Sequence, residues 1–187
     1  FAPDPEIEGK TLAEIAELRG TDSASTLMDL IAEAEAYQQE TGEEDVETVI
    51  AVSMSESDIE RLMQWPWTNI CTDGELYGAH PRGDGTFPRV LGRYVRDRQA
   101  LDLETAIHKM TGLSAATLGL DNRGRIEPGM KADLVLFDPD TVLDRAMTDH
   151  PHDVSQGIET VWVNGQVVLH DRLAPSRRPG SIVRPSQ

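Results

Sequence analysis

Residues 71–95 read C-T-D-G-E-L-Y-G-A-H-P-R-G-D-G-T-F-P-R-V-L-G-R-Y-V. A short apolar run, Trp67 to Cys71, ends abruptly in Thr72-Asp73-Gly74, and a loop rich in Gly, His and Arg carries the chain to about Pro88. Val90, Leu91, Tyr94 and Val95 then recur at helical spacing. A strand that ends in a carboxylate, with a loop and a helix behind it, is how a barrel of alternating strands and helices presents a reactive group at its C-terminal face. Trp67–Cys71 is therefore expected as a strand and Asp73 as the residue it delivers. Asp-Gly is also ordinary turn chemistry, so the rest of the chain must decide. Two positions apart on one strand, Cys71 and Asp73 would share a side, which leaves a metal role open for Cys71. A small buried hydrophobe is the expected reading of that cysteine.

Outward from this stretch, the chain separates into three regions: 1–57, 58–122 and 123–187. The first is helical and acidic. Thr11 with Glu14 is a capping-box signature, Leu12, Ile15, Ala16 and Leu18 form an apolar face, and Gly20 is a stop. Leu27, Leu30, Ile31 and Ala34 predict a second helix ending near Gly42, and the β-branched run Val46 to Val52 reads as a strand. At the boundary with the second region Ser55 and Asp58 open a helix with Ile59, Leu62 and Met63 inward. Trp65-Pro66-Trp67 ends it, because proline cannot continue a helix. Asp102 caps a helix over 103–110 with Ala106, Ile107 and Met110 inward, and Ser114 caps a further turn reaching Leu118. The third region reads as strands and turns. Ala132 to Asp138 is one strand, and Val161–Val163 and Val167–Leu169 flank Asn164-Gly165, the strongest short hairpin signal. The tail around Arg177-Arg178-Pro179-Gly180 is expected as a surface arm.

Composition narrows the function classes. The formal charge of −16 over 187 residues argues against a nucleic-acid partner, which would want a basic stripe, and against an anionic membrane surface. Charge of this kind speaks to solubility rather than to fold. A single cysteine excludes an internal disulfide and fits a reducing, cytoplasmic setting. No apolar run approaches the roughly 18 residues needed to span a bilayer. The chain opens Phe1-Ala2-Pro3, without methionine, and reads as a piece of a longer polypeptide.

Asp73 is the leading candidate residue and Arg82 the second, since guanidinium suits bidentate capture of a carboxylate. For each the plain alternative is a turn aspartate and a surface arginine. His80 reads as a loop residue or a proton carrier, and Arg89 as a structural partner of nearby carboxylates. His108 is expected to be structural. His150 and His152 are expected as solvated loop, because their spacing matches no zinc pattern.

The chain resembles the N-acyl-D-amino-acid deacylases (D-aminoacylases) of the amidohydrolase superfamily. Gly9 to Ala16 is similar to the start of that family's inserted helical segment, and Trp65-Pro66-Trp67 with Thr72-Asp73-Gly74 to the approach to its last barrel strand. His80-Pro81-Arg82 and Gly85 to Val95 are the most specific words, and Ala106 to Thr111 resembles the helix that follows. Gly124 to Gly129, Ala132 to Val135 and Val161 to Gly165 are common to many amidohydrolases. The resemblance implies an α/β fold: the last part of a (β/α)8 TIM-like metal-dependent hydrolase barrel plus part of a small β-sandwich. Residues 1–57 would be the helical insertion, 58–122 the barrel end and 123–187 the sandwich segment with the tail. It implies zinc-dependent hydrolysis of N-acyl-D-amino acids, with one or two ions. Asp73 would be metal ligand and general base, and Arg82 would bind the substrate α-carboxylate. The other expected partner is the missing N-terminal barrel segment, because the family's His-x-His pair and remaining ligands are absent here. The piece alone is then expected to be inactive. Two alternatives stand beside this reading: a non-catalytic partner-binding module retaining a fold remnant, and a cyclic-amide hydrolase of the hydantoinase or dihydroorotase kind.

Overall fold

The computed structural model describes every residue except 45, 76, 77, 79, 172, 175, 177, 186 and 187. Part of the 74–88 loop and Arg177 of the tail therefore lie outside the described residues. The chain forms two compact units, Phe1–Val52 and Ser53–Gln187.

The first unit is a helical pair. Helix α1 (Leu12–Arg19) starts at Thr11, whose side chain and Glu14 satisfy each other's backbone N–H groups, and stops at Gly20 in the left-handed conformation. Helix α2 (Ser23–Thr41) is capped by Asp22 and stopped at Gly42, also left-handed. The buried stripe of α2 is Thr26, Leu30 and Ala34. Leu27 and Ile31, expected inside, are 41% and 49% exposed. The stripe selects positions four apart, and Thr26 is admitted because its hydroxyl is bonded to that of Thr21 at 2.6 Å. Val46–Val52 is not a strand. Only Val46 is buried, and its carbonyl accepts from the Ala2 N–H at 2.8 Å. The rest finds no ladder partner among the described residues, and β-branched composition cannot replace one.

The second unit joins helices to a small sheet. Helix α3 (Glu56–Gln64) is capped by Ser55 and ends at Trp65. Helix α4 (Arg82–Arg89) starts well before the expected end of the loop and contains Pro88. It runs into a π-helical segment, Val90–Asp97, where an α-helix was expected. Proline lacks the N–H that an α-helix needs, and the wider turn that follows closes five residues back, with the Arg98 N–H donating to the Arg93 carbonyl at 2.9 Å. Helix α5 (Leu103–Met110) is capped by Asp102 as expected. Helix α6 (Gly112–Thr117) starts at Thr111 rather than Ser114; the Ser114 hydroxyl instead donates to the Lys109 carbonyl at 2.9 Å. The core is Ile70, Val90, Tyr94, Leu101 and Ala106, with Ile59, Met63 and Met110 packed against it.

Strands β1 (Leu134–Phe137), β2 (Ile158–Val163) and β3 (Gln166–His170) form an antiparallel sheet in the order β1-β2-β3. Asn164 and Gly165 both take positive φ, 48° and 76°, as a two-residue hairpin turn requires. Between β1 and β2 the chain wedges Val142, 1% exposed, against the helical part. A Cβ on Gly92 would sit 2.5 Å from the Val142 carbonyl oxygen, and one on Gly157 2.5 Å from the Val142 nitrogen. Arg96 Nη1 donates to that same carbonyl at 2.7 Å.

Trp67–Cys71 is not a strand: Trp67 lies in a turn and residues 68–71 have no regular structure. A strand exists only through its ladder, and among the described residues the backbone bonds recorded here are a local turn bond from the Thr68 N–H to the Trp65 carbonyl at 3.2 Å and one from the Ile70 N–H to the Lys109 carbonyl at 3.3 Å. Cys71 is accordingly exposed rather than buried. Lys109 is the unexpected element of the core: it is 2% exposed, and its Nζ donates to the carbonyls of Trp65 at 2.6 Å and Thr68 at 2.8 Å. Burial holds its pKa below the ordinary lysine value of 10.5. The unfolded chain binds this proton more tightly, so Lys109 adds stability as pH rises through the window between its folded value and 10.5. In Lys109→Met that alkaline rise should flatten relative to wild type, measured as denaturation midpoints from about pH 8 upward. Parallel profiles for the two proteins would show that the ammonium is hydrated in solution.

Candidate functional site

Asp73, Gly74, His80 and Arg82 meet at the N-terminal end of α4. The Asp73 backbone is left-handed, φ 47°, a region in which aspartate is better tolerated than most residues. The Gly74 N–H donates to the Thr72 hydroxyl at 3.2 Å, which closes the turn. Because Asp73 is not in a strand, the alternation that would put it on the side of Cys71 does not operate.

The turn reaches α4 by backbone contact. A Cβ on Gly74 would lie 2.4 Å from the Gly83 Cα, so the two glycines touch with nothing between them. This approach sets Arg82 beside Asp73: Arg82 Nη1 is 3.2 Å from Asp73 Oδ2, with side chains 43% and 78% exposed. An ion pair this exposed is worth little to stability. It does place a guanidinium with spare N–H donors beside a carboxylate with free lone pairs, both open to a ligand.

Helix α4 has Pro81 at its N-cap, which offers no side-chain cap. His80 substitutes: its Nδ1 accepts from the Arg82 N–H at 3.0 Å. Burial, followed by the charges of Arg82 and Arg89, lowers the His80 pKa below 6.5, with Asp73 opposing. The ring is therefore neutral near pH 7 and its Nδ1 lone pair is available. Arg89 pairs with the buried carboxylate of Asp144 at 2.8 Å, the structural role expected of it. His152 is an exposed loop residue, as expected, and its Nδ1 lies 2.8 Å from Asp84 Oδ2 of α4. His150 is exposed beside Asp149. Gly74 and Gly83 were not singled out by sequence reasoning. The only signal for them was their occurrence in Asp-Gly and Arg-Gly pairs flanking the candidates, which specifies no contact between them.

Asp73 has the right chemistry for one oxygen ligand of a metal. Among the described residues no group of three or more His, Cys, Asp or Glu side chains is placed to hold an ion. A catalytic zinc takes about three protein ligands, and Asp73 would supply one of them. No helix of the described residues is long and apolar enough to cross a membrane.

The amidohydrolase family pattern matches residues 5–169. The chain belongs to the amidohydrolase family. Within it, the chain is 39% identical over 183 residues to the N-acyl-D-aspartate deacylase of Alcaligenes xylosoxydans xylosoxydans, covering 97% of this chain and 34% of that protein. It is 42% identical to the N-acyl-D-glutamate deacylase of the same organism, covering 97% of this chain and 35% of that one. Among solved structures, the crystal structure of D-aminoacylase superposes with a TM-score of 0.78 at 40% identity, over 94% of this chain and 34% of that chain. This amidohydrolase chain thus spans about a third of the length of the relatives it matches. Its α/β metal-dependent hydrolase fold is that of these relatives.

Proposed function

We propose that this amidohydrolase chain is the C-terminal portion of a zinc-dependent enzyme that hydrolyses N-acyl-D-amino acids to a carboxylate and a D-amino acid. The observation that carries the reading is the pairing of Asp73 with Arg82 at 3.2 Å, a proton-accepting carboxylate beside a carboxylate-binding cation. Support comes from the deacylase relatives at 39% to 42% identity and from an N-acyl-D-glutamate deacylase of Bordetella bronchiseptica, solved with zinc and a phosphonate mimic of the tetrahedral intermediate.

In this reading residues 1–57 are the helical insertion, 58–122 the end of a (β/α)8 barrel and 123–187 part of a β-sandwich with the tail. The missing ligands and barrel strands come from the rest of the protein, in a cytoplasmic setting consistent with the exposed free thiol of Cys71. Zinc, when bound with those other ligands, supplies Lewis acidity and a water of lowered pKa. Asp73 would offer an oxygen to that ion, and its carboxylate would take a proton from the attacking water and deliver it to the leaving amine. Arg82 holds the α-carboxylate of the substrate by a charge-assisted, bidentate contact.

Arg82→Ala in the full-length enzyme should raise KM for N-acyl-D-amino acids by about 10- to 100-fold, as expected for a hydrogen bond to a charged group. Substrates whose carboxylate is amidated should be affected far less. Equal losses on free-acid and amidated substrates would contradict the role.

A further inference from the structure

We infer that His80 is the positioning residue for Arg82, acting through the Arg82 backbone as the N-terminal cap of α4. The inference rests on the proposed deacylase reading and names a residue to which that reading gives no part. Three observations converge on it. Helix α4 begins at Arg82 behind a proline that has no side-chain hydrogen bond to offer. The Arg82 N–H, one of the orphan donors of a helix start, donates to His80 Nδ1 at 3.0 Å. The next residue, Gly83, is the one pressed against Gly74, with its own N–H donating to the His80 carbonyl at 3.3 Å.

His80 therefore holds the turn from both its ring and its backbone. That turn carries the guanidinium at one end and abuts the Asp73 turn at the other. Loss of the ring acceptor frees the first turn of α4 to fray. Arg82 then samples more rotamers and positions before it can meet a carboxylate. The role needs an acceptor at the Nδ1 position and no transferable proton. A proton carrier, the other role open to a loop histidine near the site, needs the reverse.

The substitutions His80→Asn, His80→Gln and His80→Ala in the full-length enzyme separate these roles. Asparagine offers its side-chain oxygen near the Nδ1 position, as it does at helix caps. Glutamine carries its amide one bond further out, and alanine offers nothing. KM and kcat are read on a free-acid N-acyl-D-amino acid and on its amidated analogue. The dissociation constant of the free acid is read by calorimetry on the metal-free full-length protein. His80→Ala and His80→Gln should raise KM and the dissociation constant about 3- to 10-fold, the range of a neutral hydrogen bond, with kcat and the amidated substrate little changed. His80→Asn should restore both constants to within about twofold of wild type.

Wild-type constants in His80→Ala would overturn the inference while leaving the deacylase reading standing. Collapse of kcat in all three variants, His80→Asn included, would assign proton transfer to the ring and overturn it likewise. A wild-type enzyme that fails to hydrolyse any N-acyl-D-amino acid would overturn the reading and the inference together.

Discussion

Asp73→Asn in the full-length enzyme should lower turnover by about 10²- to 10⁴-fold, the usual cost of losing a positioned general base, and loss of a charged metal ligand adds to it. Thermal stability should hardly move. The side chain is 78% exposed, and its one recorded ion pair, to Arg82, is a surface pair. Asparagine is the informative substitution because the backbone here has φ 47°. Asn shares with Asp an unusual tolerance of that left-handed conformation. Alanine would add backbone strain and confuse a chemical loss with a structural one. Turnover within tenfold of wild type would remove Asp73 from the chemistry. Metal content, measured on the same sample, divides the loss between the two roles: unchanged zinc with lost turnover assigns proton transfer, and depleted zinc assigns ligation.

Gly157→Ala should destabilise the protein by about 2–5 kcal/mol, combining left-handed backbone strain of roughly 1–2 kcal/mol with overpacking of about 1–3 kcal/mol. Gly157 sits at φ +76°, and a Cβ there would lie 2.5 Å from both the nitrogen and the Cα of Val142. Those are backbone atoms, which no rotamer change can move aside. Val142 is itself trapped from the other side by Gly92, and its carbonyl is bonded to Arg96. The Gly157 carbonyl also accepts from the Asp138 N–H at 2.8 Å, so a shift of the glycine breaks that bond too. Gly180→Ala is the control, because nothing lies within 4 Å of its added methyl. Chemical denaturation reads both. A Gly157→Ala cost below about 1 kcal/mol would mean that the Val142 wedge yields, and that the sheet is not anchored to the helices through it.

The sheet and the helix caps were legible because each is specified by a few consecutive residues. Asn164-Gly165 between two apolar runs admits little but a tight hairpin, and it forms one. Thr11 with Glu14, Asp102 before Thr105, and Gly20 and Gly42 at helix ends satisfy backbone groups within a turn of their own position. The apolar pattern was less informative about partners. Leu27 and Ile31 have helical spacing and face out, while Thr26 faces in. Val46–Val52 and Trp67–Cys71 have strand composition and, among the described residues, no strand pairing. Periodicity reports which side chains would gain from burial, and says nothing of whether a surface exists to bury them.

The sequence by itself determined the family words, the local starts and stops, the hairpin and the two candidate residues, because each rests on residue type and near spacing. Tertiary structure decided what lies at long separation. Arg82 and Asp73 come within 3.2 Å because Gly74 and Gly83 have no side chains to hold their backbones apart. Lys109, a polar residue in a helix, is buried with its Nζ bonded to the Trp65 and Thr68 carbonyls, in the chain that follows α3. His152 serves α4 through Asp84, 68 residues away in sequence. Such contacts follow from close packing and from the need of buried polar groups for partners, and both conditions are met only once the whole chain has been brought together.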